Sequence, residues 1–160
     1  MAKLKFVGLD DLMSRFLTLE NSSKDMIGRA VFDGAGIAAD AVKAGIESLP
    51  IDERHIKYGQ MLNGISRVQK TGLVDGFGIS PMENDNGYNH VKLGFAGYND
   101  VKTKSYPNGQ PNSVIARSVN GGTSFRVRIP FVDNAVNSKK AAIENKMKET
   151  FDKELEKVVK

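Results

Sequence analysis

Residues 121–131 read GGTSFRVRIPF, and how these eleven residues fold decides the architecture around them. Gly121 and Gly122 suit the end of a helix and a change of chain direction. Phe125, Val127 and Ile129 then alternate with Arg126 and Arg128, the period-two pattern of a half-buried strand. Pro130 follows where a helix starts, since it has no amide hydrogen to lose there. The expectation is a strand with Phe125, Val127 and Ile129 on its buried face and Arg126 and Arg128 on the other. A short, stiff link then sets the angle between that strand and the next helix.

Working outward, the following residues predict a helix over about 131–158. Its apolar stripe is Val132, Ala135, Val136, Ile143, Met147, Phe151, Leu155 and Val158. Glu144–Lys148 and Glu149–Lys153 are favourable i,i+4 pairs, and Lys153–Lys157 is not. On the other side, SVIARSVNGG predicts a short helix, capped by Asn112 or Ser113 and closed by Gly121 in the left-handed conformation.

A second long helix is expected over about 24–47, where Ile27, Ala30, Val31, Ala35, Ala38, Ala41, Val42 and Ile46 recur at spacings of three and four. Ser22 and Asp25 resemble a capping box at its start, and Ser48-Leu49-Pro50 ends it. Gly28, Gly34, Gly36 and Gly45 fall inside the pattern. They mark either the close approach of another backbone or a weakened helix. Before it, a short strand ending at Gly8 and a short helix capped by Asp10 are expected, broken at Asn21-Ser22-Ser23. Phe77–Ser80 and Val91–Phe95 read as strands, with the hairpin-turn signal Asn86-Gly87 between them. Residues 51–64 hold a short helix or a loop, the glycine-rich run that follows reads as a mobile connecting segment, so that 53–76 is expected as an exposed loop or insertion, and residues 98–112 form a polar, exposed loop. The sum is an α+β domain over residues 1–160, a small antiparallel sheet packed with two long amphipathic helices.

Composition narrows the chemistry. With no cysteine among 160 residues, disulfides, thiolate zinc sites and cysteine nucleophiles are excluded, which fits a reducing compartment. The start, MAKLKFVGLDDL, carries charge where a signal peptide needs an apolar stretch, and no run reaches the ~20 apolar residues of a membrane span. Net charge is +4, with Lys and Arg scattered among acids rather than gathered on one face.

Catalytic and cofactor motifs are weak. Gly34-Ala35-Gly36-Ile37-Ala38-Ala39 matches a dinucleotide fingerprint, but a helical pattern precedes it where a strand is required. His55 and His90 are the only histidines, and neither has ligand spacing. Ser80, Ser105 and Ser124 lack the nucleophile-elbow setting. Residues 83–87 lack the ligand order of a calcium loop. No cofactor, metal or catalytic site is expected. Tyr88, Tyr98 and Tyr106 flank Lys92, Lys102 and Lys104, which opens a reading as a single-strand nucleic-acid contact. Tyrosine-bearing loops also suit protein interfaces.

The order of features resembles a known family. Gly-Leu-Asp-Asp-Leu at 8–12 precedes an Ala/Gly-rich helix ending near Pro50-Ile51-Asp52. Thr71-Gly72-Leu73, KLGFAGYN (92–99), Gly122-Thr123-Ser124, Pro130-Phe131 and Ala135 follow. This is similar to the tail-component family of long-tailed bacteriophages, small head–tail connector or tail-completion proteins of the virion neck. The family commonly runs Pro-x-Asp directly into Thr-Gly-x-Leu-Arg-x-Ser; here 18 residues separate the two parts. The resemblance implies a non-enzymatic virion subunit, assembled in the bacterial cytoplasm into a ring, six-fold in the particle. Its partners would be other virion proteins such as connector, terminator or tube. DNA would be only passing cargo, and no membrane would be involved. Candidate contact residues are Tyr98, Lys102, Lys104 and Tyr106 in the polar loop, and Arg126 and Arg128 on the strand. The two arginines either face solvent or meet an acidic patch on a neighbouring subunit. A tail terminator, a nucleic-acid-binding module and, last, a hydrolase using His55 or His90 are the other readings.

Overall fold

The computed structural model describes residues 9–159. Two helices dominate: α1, Leu9–Glu47, and α4, Phe131–Val159. They pack antiparallel. Gly45 lies against the Phe131 backbone, Gly34 against Met147 and Ile143, and Arg29 pairs with Glu154 at 2.6 Å. Of the four glycines in the pattern only Gly45 meets another backbone, the Phe131 carbonyl; Gly34 admits side chains, a Cβ there standing 2.5 Å from Met147 Cγ, and Gly36 has nothing within 4 Å. Thr150 Oγ1 donates to Asp33 Oδ2 at 2.7 Å and ties the same seam.

Between them lie α2 (Arg67–Gly76), β1 (Phe77–Ile79), β2 (Glu83–Asp85), β3 (Tyr88–His90), β4 (Leu93–Phe95), β5 (Tyr98–Asn99), β6 (Gln110–Pro111) and α3 (Asn112–Gly121). The strands form three two-stranded antiparallel pieces, β1–β4, β2–β3 and β5–β6, rather than one sheet. The fold class is α+β, as expected. β1 and β4 pair with Phe77 opposite Phe95 and Ile79 opposite Leu93. The Asn86-Gly87 signal makes a two-residue turn between β2 and β3, both residues at positive φ.

One core sits where the C-terminal half of α1 and the start of α4 meet α2, α3 and β1–β4. Val42, Ile46, Ile65, Leu73 and Val119 are sealed within it. Phe95 bridges Phe77 and Phe131, with ring centroids 5.1 and 6.1 Å away. Away from this core, α1 and α4 continue as a two-helix stem.

Four expectations are corrected. Asn21-Ser22-Ser23 does not break the helix, and the Ser22–Asp25 box does not form, because α1 runs through them; the expected Asp10 cap rests on a side chain outside the described ones. Ser23 Oγ donates to the Glu20 carbonyl at 2.8 Å, so the hydroxyl bonds back within the helix. The strand expected at Leu4–Gly8 lies outside the described residues. Residues 67–76 are a helix, capped by Ser66 and Gln69 bonding each other's backbone amides. The glycines nearby reflect crowding rather than slack: a Cβ on Gly64 would strike the Pro50 carbonyl, and one on Gly76 that of Ala96. Residues 98–112 form an exposed tip on a paired base, with Asn99, Gly109 and Asn112 buried. Finally, α3 starts after Pro111 without a side-chain cap, and Gly122, not Gly121, holds the positive φ of 76°.

Candidate assembly surface

The segment after α3 is a strap over the core rather than a ladder strand. Thr123 and Arg126 exchange both main-chain hydrogen bonds, at 3.0 and 3.3 Å, and close a tight turn. The chain then pairs in parallel with the 61–63 segment: Leu62 N donates to Phe125 O at 2.8 Å, and Val127 N to Leu62 O at 2.9 Å. Ile129 N reaches the Val119 carbonyl at 2.9 Å, and α4 begins two residues later. The turn sets the phase of the alternation, and that phase is opposite to the expected one. Arg126 is 3% exposed, whereas Phe125 and Val127 are 48% and 39% exposed. Ile129 alone of the three packs against the core.

Arg126 therefore lies in a buried polar cluster. Its Nη1 donates to Ser118 Oγ at 3.1 Å and its Nη2 to Gln69 Oε1 at 3.2 Å. Gln69 is the hub: Oε1 also accepts from Ser66 N, and Nε2 donates to Gln110 Oε1 at 2.7 Å. Gln69 thus joins the α2 cap, the base of the 98–112 loop and the strap. The Nε of Arg126 is buried without a partner among the described residues. Burial lowers the guanidinium's pKa, opposed in part by the negative charge of Asp52. Asp52 is itself claimed by Arg54, at 2.8 and 2.7 Å, and by Asn63 N at 2.7 Å. These contacts, Arg54 first, hold its carboxyl well below the usual range.

The remaining candidates are spread out. Arg128 is exposed and stays within its own chain, donating to the Asn120 carbonyl and to Asp133, both at 3.2 Å. Asn120 in turn caps α4, its Oδ1 accepting from Val132 N at 3.0 Å. Tyr98 is 70% exposed on the rim of a groove of about 300 Å³ beside Arg67, Val68, Thr71 and Asp75. Lys102 and Lys104 are exposed on the loop tip, and Tyr106 is half-buried, pairing its backbone with Thr103. The base of this loop meets the strap through Gln110, Gln69 and Arg126.

Outside the strap, Met61 on the paired segment, Tyr58 in a turn and Tyr88 at the start of β3 are also exposed. The sequence does not single out Met61 or Gln69, and it marks Asn112 only as a helix cap. The Ser66-x-x-Gln69 spacing was the one signal available for the cluster. The larger groove, about 690 Å³, runs between α1 and the β2–β3 hairpin and is lined by Gly28, Phe32, Met82 and Asn89 among others.

Gly34, the first glycine of the fingerprint, is inside α1. His55 is exposed. His90 Nε2 stands 3.3 Å from Glu83, which also pairs with Lys92 at 2.7 Å. Lys92, and then His90, hold the Glu83 carboxyl below its ordinary value. Among the described residues no three His, Cys, Asp or Glu side chains are grouped to hold a metal ion. No helix among them is long and apolar enough to cross a membrane. Comparison of the chain with protein-family models, curated proteins and solved structures finds no match.

Proposed function

We propose that the chain is a structural subunit of a tailed-phage or prophage virion, a neck or tail-completion protein that forms a ring at the head–tail junction. The reading starts from the resemblance carried by KLGFAGYN and by GTSF, Pro130-Phe131 and Ala135. The observation that supports it most is the outward-facing apolar pair Phe125 and Val127, with Met61 on the adjoining segment. A chain that leaves such residues uncovered beside a well-packed core has a surface suited to a protein partner. A ring needs a heterologous contact, one patch meeting a different patch on the next copy. The strap supplies one such patch, and exposed Tyr98, on β5 beside the β6 strand that carries Gln110, supplies aromatic surface for another.

Six copies in the particle, with connector, terminator or tube proteins above and below, complete the proposal; a terminator capping the tube is the nearest alternative. The double variant Phe125→Ser, Val127→Ser tests it. Ring formation on tail tubes is expected to be lost while the monomer keeps its helical circular dichroism. Unchanged rings would remove the strap from the interface.

A further inference from the structure

The strap is seated inside out. A period-two segment normally buries its apolar side chains and exposes its charges, yet here Arg126 is inward and Phe125 and Val127 are outward. We propose that residues 123–128 form a reversible strap with two seatings: the observed one, and an inverted one in which Phe125 and Val127 enter the core while Arg126 joins Arg128 at the surface.

Both faces of the observed seating are imperfect. Inside, a cation rests on two neutral acceptors, Ser118 and Gln69, with its Nε unpartnered. A buried polar group left without a partner is destabilising, and a buried charge without a counter-ion more so. Asp52, the acid whose field reaches Arg126, is engaged by Arg54 instead. Outside, Phe125 and Val127 keep much of their apolar surface in water. Exchanging the two faces turns the strap about its own axis and shifts its pairing by one residue: Phe125 O and Val127 N leave Leu62, and the main-chain groups of Arg126, released from Thr123, take their place.

The attachments permit that rotation. Four main-chain hydrogen bonds hold the strap, two inside its own turn and two to Leu62. Its N-terminal end is the Gly121-Gly122 pair, with Gly122 already at φ 76°. Its C-terminal end is fixed by Ile129 on Val119, so the rotation stops short of α4. The inverted seating changes the surface from apolar to basic. An acidic protein surface would select it, and an apolar one would select the observed seating. The proposal concerns the free chain and stands whether or not the virion reading does.

The absence of native cysteine makes thiol labelling clean. In the Val127→Cys chain, a water-soluble maleimide is expected to react at the rate of an exposed thiol. Adding Arg126→Glu places a carboxylate beside Gln69 and within the field of Asp52, which disfavours the observed seating. Labelling at position 127 is then expected to slow by about tenfold or more, as the side chain becomes protected. An equal or faster rate in a folded double variant overturns the proposal. Should that variant not fold, Gln69→Glu decides. It offers Arg126 a charged acceptor, and amide exchange at Val127 is expected to slow by about tenfold, the gain of a charged over a neutral hydrogen bond. Exchange at Val42 in α1 is expected to stay much slower in both chains. A Val127 amide that exchanges as slowly as Val42 in the parent, or that ignores Gln69→Glu, overturns the strap.

Discussion

Arg126 and Gln69 show how one buried polar pair organises its surroundings. Gln69 satisfies the Ser66 amide, the Gln110 side chain and one arm of Arg126 at once. Gln69→Leu removes all three partners and leaves a cation with one neutral contact; a loss of about 2–3 kcal/mol in unfolding free energy is expected by denaturant titration. Arg126→Met removes the charge together with its unsatisfied nitrogen and fills the site with a chain of similar length. A change smaller than about 1 kcal/mol, of either sign, is expected there. Asp52 gives a pH signature. Its carboxyl is depressed in the folded state, so its contribution is present above the unfolded carboxylate pKa of about 3.9 and is lost as pH falls below that value. Asp52→Asn is therefore expected to be less stable than the parent at pH 7, with the two stability curves converging in acid.

At the scale of elements, glycines separate into those that fill close contacts and those that do not. A Cβ at Gly64 meets the Pro50 carbonyl, whereas one at Gly36 meets nothing within 4 Å. Gly36→Ala is expected to stabilise α1 by up to about 1 kcal/mol, and Gly64→Ala to destabilise by more than that, both read from thermal or denaturant unfolding. The same contrast explains what the sequence disclosed. The two long stripes were legible because a helix that buries one face writes its period over many residues. Strands β1 and β4, helix α3 and the Asn86-Gly87 turn were legible from local signals, whereas β2 and β3 fall in what reads as the loop between β1 and β4. The α2 helix was not, since Gly72 and Gly76 are demanded by contacts with Asn99, Asn112 and Ala96 that lie far along the chain. The unbroken α1 was missed because Asn21-Ser22-Ser23 is a cap only where the preceding turn is not helical. The facing of Arg126 was missed because it depends on the Thr123–Arg126 turn and on Leu62, neither visible in the alternation itself. Of the candidate contact residues, Tyr98, Lys102, Lys104 and Arg128 reach the surface, while Tyr106 is half-buried and Arg126 is buried.

At the scale of the whole molecule, the chain divides its work between a packed head and a stem. The head carries the core, the strap and the Tyr98 groove; α1 and α4 extend from it as an antiparallel pair. Residue 29 of α1 faces residue 154 of α4, so the first turns of α1 run on past the described end of α4. With 39 residues, α1 is roughly 58 Å long at 1.5 Å per residue. Assembly at the head–tail junction is the claim that gathers these features. Electron microscopy of the purified chain, alone and mixed with tail tubes, tests it most directly. Rings of the chain seated on tube ends are the expected result. Bare tube ends beside dispersed monomers, at concentrations where the chain is folded, would contradict it.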